Sequence, residues 1–405
     1  VRAVENNEVI VAMSGGVDSS VAAALLVRQG FAVRGLFMRY WGDVDDLIPG
    51  GEDFTNCCNI EAMHDAQMVC KHLGIPFEAM DLRAEFRQHV VKPFLRAYEE
   101  GRTPNPCINC NHAIKFAMIE RVLKVNSNQS SVNSTLYFAT GHYLRTTNYQ
   151  LLPERSRRAT EFQGNPSTLL GFAQGINSKD PVRVFTACDE RKDQSYFLYT
   201  LTQEKLRRLL FPLGEYTKSQ ARELAREFGL PVAEKKESQE ICFVKGKVGE
   251  FLESRVKAEA GAFVSVGGER LGTHRGLPFY TIGQRQGLEL NGGPWYVAEK
   301  RAATNEVVVA SPRETQWHLK REAVVRNVNW IAGSPPEFPA RVIAKPRAHH
   351  PGASASIEML NVNGQMSNVR IAFDDPERAL TPGQSMVFYR DTPEGLELLG
   401  GGVIE

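Results

Sequence analysis

Val9-Ile10-Val11-Ala12-Met13-Ser14-Gly15-Gly16-Val17-Asp18-Ser19-Ser20 reads as a buried apolar strand that runs into a glycine turn and straight on into a helix, Val21-Ala22-Ala23-Ala24-Leu25-Leu26. Glycines at 15 and 16 let the backbone adopt positive φ and come close to a ligand. Ser14, Asp18, Ser19 and Ser20 add hydroxyls and N-terminal capping groups. The helix turns its unsatisfied N–H groups and positive dipole end toward the turn, which is the physical basis of a phosphate site. Neither G-x-x-x-x-G-K-[ST] nor G-x-G-x-x-G is present at this turn.

What remains, S-G-G-V-D-S-S, resembles the PP-loop of the ATP pyrophosphatases, enzymes that cleave ATP between its α and β phosphates and adenylate an oxygen. An ordinary glycine turn is the plainer reading. The match extends over seven residues in a strand–turn–helix context, which favours the nucleotide.

Composition bounds the rest. The chain has 405 residues, enough for two or three domains, and 42% hydrophobic residues suit ordinary cores. No window approaches the ~18 apolar residues of a membrane span, and no signal-peptide core opens the chain. With 48 basic and 47 acidic residues, the net charge of +1 argues against wholesale coating of nucleic acid while allowing a local basic face. The seven cysteines form no regular framework of pairs and read as reactive or metal-binding thiols in a reducing compartment. The first residue is Val, and the expected location is an organelle matrix (plastid or mitochondrion), its leader trimmed, or a bacterial cytoplasm, without secretion.

Beyond the first helix, strand-like Ala32–Met38, a helix with apolar positions 62, 63, 66, 69, 70 and 73, and a strand at 75–80 continue a β-α-β pattern. A helix over 86–100 leads to Gly101-Arg102-Thr103-Pro104-Asn105-Pro106-Cys107-Ile108-Asn109-Cys110-Asn111, read as a proline-stiffened loop before a helix over 112–123. A polar patch (126–134) precedes strand 136–140 and Gly141-His142-Tyr143. Residues 146–185, with Arg155, Arg157 and Arg158, read as an inserted flexible loop, and two helices are expected near 203–210 and 217–228. Strands alternating with helices predict a doubly wound parallel sheet, PP-loop ATP pyrophosphatase-like, with ligands at the carboxyl ends of its strands. From about 262 short β runs take over (263–266, 279–282, 295–298, 307–309), followed by alternating strands such as 340–344 and 386–389. The expected organisation is a catalytic α/β domain (1–244), a small β-rich central domain (245–313) and an antiparallel β-barrel (314–405).

Cys110 and Cys242 are the candidate reactive thiols. A helix dipole, Arg102 and Lys115 are expected to favour thiolate at Cys110, and Lys235 and Lys236 precede Cys242. Cys70 and Cys188 read as buried small hydrophobes.

The segments S-G-G-V-D-S-S, G-R-T-P-N-P-C-I-N-C-N-H-A-I-K-F, A-T-G-H-Y, K-D-Q-S-Y-F-L, E-S-Q-E-I-C-F, T-I-G-Q-R and T-P-G-Q-S, in this order, resemble the tRNA-specific 2-thiouridylases nearly end to end. The resemblance implies a two-step thiolation of the wobble uridine of certain tRNA anticodons. ATP is held by Ala12, Met13, Ser14, Gly15, Gly16, Val17, Asp18 and Ser19, with Met38 and Gly141 on the adenine side, and adenylates the uridine C2 oxygen. A persulfide on Cys242 then delivers sulfur, and Cys110 is the nucleophile that resolves it, leaving a Cys110–Cys242 disulfide. Chemistry independent of the family asks for the same pair, since one thiol holds sulfane sulfur and another accepts the exchange.

Positions matching the family's tRNA contacts are Asn105, Pro106 and Cys107 at the target base, His142, Lys192, Asp193, Gln194, Arg347, Ala348 and Gln384. The implied partners are the tRNA anticodon stem-loop and a cysteine desulfurase or sulfur-relay protein as donor, with no membrane. Mg²⁺ is expected with ATP. Asp18 is left with two roles, metal ligand or helix cap. Cys107 departs from the family pattern, where an Asp often stands, so a general acid or base there is in question. The departure opens a second mechanism in which Cys107, Cys110 and Cys242 ligate a [4Fe–4S] cluster. Zinc is a third option, although no second C-x-x-C completes its site. A PP-loop ligase adenylating a small molecule is a further alternative, and a non-catalytic RNA-binding or iron–sulfur scaffold is a rival outside enzymes.

Overall fold

A computed structural model describes residues 8–41, 60–118, 121, 136–148, 180–236, 241–244, 246–314, 319–362 and 365–405. Cys57 and Cys58, the patch at 126–134, Arg155, Arg157, Arg158 and Glu237–Glu240 lie outside the described residues.

The N-terminal unit is a five-stranded parallel sheet, β3-β2-β1-β4-β7, formed by β1 (Glu8–Met13), β2 (Ala32–Arg39), β3 (Phe77–Asp81), β4 (Leu136–Ala139) and β7 (Leu209–Leu210). Side chains of β1 alternate between two cores. Val9, Val11 and Met13 join one and Ile10 the other, which is why the strand is a continuous apolar run rather than a half-polar one. The chain passes from β1 to β2 on one side and returns to β4 on the other. The crevice beyond Met13 and Ala139 is therefore the switch point of the sheet, where open α/β folds bind ligands.

β8 (Gly261–Ser265), β9 (Arg270–His274), β10 (Tyr296–Arg301) and β11 (Glu306–Ala310) make a separate four-stranded sheet. Strands β12 (Leu319–Trp330), β13 (Ala340–Lys345), β14 (Ala353–Val362), β15 (Gln365–Arg378), β16 (Ser385–Thr392) and β17 (Gly395–Ile404) form an antiparallel barrel closed by pairing of β12 with β17.

Four local expectations change. The C-x-x-C segment is helical over Pro106–Cys110, because Pro106 occupies the first turn and the Asn105 side chain caps the helix by accepting from Cys107 N–H at 3.2 Å. The expected helix at 203–210 ends at Leu206, and Leu209–Leu210 becomes the sheet edge beside β4. Residues 277–279 form a 3₁₀ turn rather than opening a strand. The ends of the 146–185 stretch are ordered. β5 (Arg145–Thr146) pairs with β6 (Val184–Phe185), and Phe185 pairs with Glu397 of β17, so the N-terminal unit adds two short strands to the barrel's sheet.

Ile108 and Cys110 belong to one continuous apolar core with Val387, Tyr389 and Leu398 of the barrel. Hydrogen bonds fix this docking: Tyr196 Oη donates to Ser385 O at 2.8 Å, the Ser195 and Tyr389 hydroxyls are 3.0 Å apart, and Asn329 Nδ2 donates to Tyr199 O at 2.7 Å. Burial raises the Tyr389 hydroxyl pKa well above the usual phenol range, so it stays neutral at that contact.

Candidate active site

At the switch point lies a cavity of about 350 Å³. Ala12, Met13, Ser14, Asp18, Ser19, Met38, Gly141, His142 and Gln194 line it from the sheet side, and Pro106, Cys107, Cys110 and Cys242 from the other. The turn between β1 and the helix Val17–Arg28 is wound on itself: the Ser14 N–H donates to Ser19 Oγ at 3.1 Å, and Ser19 and Ser20 hydroxyls donate to Gly16 O at 3.2 and 2.8 Å. Gly15 has φ of +71°, and a Cβ there would sit 2.1 Å from Ala62 O. Only glycine fits. Gly141 answers a different need, since a Cβ on it would lie 2.7 Å from Ser19 N, so the β4 turn closes directly on the first helical turn.

Asp18 does not cap the helix. Its Oδ1 accepts from Tyr143 Oη at 2.7 Å and Lys218 Nζ at 2.6 Å, and the N-cap is Gly16 without a side-chain bond. Lys235 Nζ donates to Gly15 O at 3.0 Å and pairs with Asp65. Sequence reading missed Tyr143, Lys218 and Lys235 as partners of the turn. Tyr143 lies in the quoted A-T-G-H-Y motif, but nothing local marks the lysines.

The thiols come from separate elements. Cys110 is buried in the middle of a continuous helical run, Pro106–Cys110 passing into a π turn over Asn111–Lys115, so it sits at neither end and the expected help from a helix dipole is weak. Of the two expected cations, Arg102 pairs with Glu100 and Lys115 lines the cavity. Cys107 is exposed and Cys242 half-buried. Cys242 is anchored by its neighbour: Phe243 packs against Phe86, Phe94 and Phe251 with centroids 5.5, 5.2 and 5.6 Å away. The five described cysteines are thiols, not disulfides. Cys70 is buried, which pushes its thiol pKa up to about 11, whereas Cys188 is exposed with Sγ donating to Glu215 Oε2, contrary to expectation.

Among the described residues no group of three or more His, Cys, Asp or Glu side chains is arranged to hold a metal ion. Cys107, Cys110 and Cys242 share the cavity without forming a group of that kind. Among the described residues Asp18 is the one carboxylate on the cavity wall, with an oxygen already committed to Lys218 and Tyr143.

His142 is held neutral, its pKa lowered well below the usual value by burial and then by Lys115. Its Nδ1 is 2.8 Å from Thr140 Oγ1. Gln194 is pinned to Tyr143, whose N–H donates to Gln194 Oε1 at 2.9 Å. Asp193 is turned inward: it accepts from Ala187 N–H, Ser195 N–H and Ser195 Oγ, and burial raises its pKa. Lys192, Arg347, Ala348 and Gln384 do not line the cavity, and neither do Gly15, Gly16, Val17 and Asn105. Arg347 is exposed. Gln384 Nε2 donates to Thr103 O at 2.9 Å, Thr103 N–H donates to Pro382 O at 3.2 Å, and Thr103 Oγ1 lies 3.4 Å from Thr281 Oγ1. T-P-G-Q-S of the barrel and T-I-G-Q-R of the central unit thus both grip the segment that leads to Cys110.

The comparisons with known proteins agree with this layout. Residues 7–246 match a family model described as the tRNA methyl transferase HUP domain, 249–311 its PRC-barrel domain, and 320–404 an aminomethyltransferase beta-barrel domain. The class is therefore a HUP-domain protein with a phosphate-type turn at its sheet switch point and two β units behind it. Curated relatives narrow this: a tRNA-specific 2-thiouridylase MnmA of Carboxydothermus hydrogenoformans is 42% identical, covering 98% of this chain and 97% of the relative. Those of Pelotomaculum thermopropionicum and Francisella tularensis subsp. novicida are each 38% identical over 99% of this chain, and over 98% and 99% of the relatives. The chain belongs to the tRNA-specific 2-thiouridylase family. Among the described residues no helix is long and apolar enough to cross a membrane.

Proposed function

We propose that this protein carries out ATP-dependent 2-thiolation of the wobble uridine in tRNA anticodons. One observation supports the reading above the others: the Ser14–Ser19 turn, Cys110 and Cys242 face a single cavity. An ATP held at the turn places its α phosphate where an inserted uracil meets both thiols. Uridine O2 attacks the α phosphorus, pyrophosphate leaves, and the N3 proton departs as C2–O2 becomes a single bond. Oxygen is thereby converted into AMP, a good leaving group. Mg²⁺ arrives with ATP and neutralises charge on the phosphates.

The terminal sulfur of a Cys242 persulfide attacks C2 and AMP leaves. Cys110 thiolate attacks Cys242 Sγ, the S–S bond breaks toward the sulfur now on C2, and N3 regains a proton. The product pair is 2-thiouridine and a Cys110–Cys242 disulfide, which an external thiol reduces. Sulfur reaches Cys242 from a cysteine desulfurase or a relay protein. Lys192 and Arg347 supply cations for the RNA backbone outside the cavity, as RNA binding requires.

Cys242→Ser tests the scheme. Pyrophosphate release on adding tRNA persists, while mass spectrometry of the tRNA finds no 2-thiouridine. Full thiolation by this variant removes the persulfide from the mechanism.

A further inference from the structure

Beside Cys110 stands a polar side chain with an unused atom. Asn111 is only 3% exposed and lines the cavity. Its Nδ2 donates to Phe197 O at 3.2 Å, and its Oδ1 has no hydrogen-bond partner. Since Phe197 O only accepts, the amide orientation is fixed, with nitrogen to Phe197 and oxygen left over. A buried acceptor without a protein partner is costly, and an ordered water or a bound ligand is what satisfies such a group.

We infer that Asn111 Oδ1 accepts the N3–H of the target uracil and so selects uridine over cytidine. The inference rests on the function proposed above. Uracil presents a donor at N3, between its two carbonyl oxygens, whereas cytosine presents a lone pair there. Facing a fixed acceptor, the first gains a hydrogen bond and the second meets repulsion. Sites built to bond a particular polar atom reject analogues lacking it more strongly than apolar pockets reject a missing methylene. Among the cavity's other polar groups, His142 Nδ1 is already engaged with Thr140 and Gln194 Oε1 already accepts from Tyr143. The amino group of adenine is the competing donor. Asn111 adjoins Cys110 rather than Met38, so the base to be thiolated is the guest assigned to it.

The experiment measures binding of anticodon stem-loops carrying uridine, cytidine or 3-methyluridine at the wobble position, with a non-hydrolysable ATP analogue present. Wild type prefers uridine to 3-methyluridine by about tenfold or more, and Asn111→Ala brings that ratio to within about twofold, because the methyl now has room and no bond is lost. The uridine-to-cytidine ratio falls in parallel. A merely structural role would weaken all three loops equally and leave the ratios unmoved, which overturns the inference. So does a wild-type uridine-to-3-methyluridine ratio near one, a result that needs no variant. Asn111→Ser, which keeps a small polar group near Phe197, replaces the alanine variant if that fails to fold and carries the same expectation. A fall in affinity for the ATP analogue as large as that for uridine RNA reassigns the oxygen to adenine. Wild-type protein that releases no pyrophosphate with tRNA defeats the proposed function itself, whereas unmoved ratios in an active enzyme defeat only the role of Asn111.

Discussion

The two walls of the cavity are built differently. The turn in the sheet wall is local: Ser14, Gly16, Ser19 and Ser20 bond among themselves within seven residues of chain. The thiol wall is assembled from two separate stretches, 106–111 and 241–243, and clamped from two other units through Thr103. Anion binding asks only for a backbone shape, which a short segment supplies alone. Exchange of sulfur between two cysteines asks for atoms from distant parts of the chain to meet, and this requires a tertiary scaffold. Damage to the first wall should therefore abolish nucleotide chemistry outright, and damage to the second should degrade sulfur transfer by degrees.

The largest effect is expected at Gly15. Alanine there faces both a left-handed φ of +71° and a backbone oxygen 2.1 Å from its Cβ. The left-handed conformation alone costs about 1–2 kcal/mol, and the contact adds to it by forcing the turn away from Ala62. Gly15→Ala should lower tRNA-dependent pyrophosphate release by about a hundredfold, equivalent to about 3 kcal/mol. Activity near wild type would mean that the turn tolerates a displaced backbone, and the distinction between a rigid and an assembled wall would fail.

An intermediate effect is expected from Gln384→Ala. The substitution removes the bond to Thr103 O, worth about 1 kcal/mol for a neutral pair, while the ATP turn is untouched. Thiolation kcat should fall by about fivefold, with affinity for an ATP analogue within about twofold of wild type. Equal losses in both measurements would show that the clasp supports the whole cavity.

The same contrast explains what the sequence made legible. Seven consecutive residues announce the PP-loop because its hydrogen bonds close within the motif, and the strand before it is apolar on both faces. Asp18 was ambiguous because its partners Tyr143 and Lys218 stand 125 and 200 residues away. The helix at 106–110 was hidden by two prolines, although Asn105-Pro106 is itself a start signal once the cap is considered. Leu209–Leu210 is a strand only because β4 lies beside it, and two residues carry no periodicity to read. The motif around Gln384 points to RNA, while its bond to Thr103 exists only because the fold brings the barrel against the N-terminal unit.

The smallest effect probes the docking at its periphery. Glu397 of β17 is buried, and it receives Arg183 of the catalytic unit at 3.0 and 2.9 Å and Arg390 at 2.7 Å. Burial pushes its pKa up, but the hydrogen bonds and charges of the two arginines outweigh this and leave it below the ordinary 4.5. A carboxylate whose folded pKa is lowered contributes stability that is present above its unfolded pKa and lost as pH falls through the folded value. The docking should therefore weaken in acid, from about pH 4.5 downward, and be insensitive at neutral pH. Glu397→Gln keeps the shape and removes the charge, so it should cost about 1 kcal/mol at neutral pH, because both arginines are partly exposed and screened. Urea unfolding between pH 3 and 7 reads both predictions: the variant starts lower and loses less on acidification. Thiolation at neutral pH should change by less than about twofold, since Glu397 is absent from the cavity lining. A loss as large as that of Gln384→Ala would place the support of the thiol wall in the barrel as a whole rather than in the Thr103 clasp.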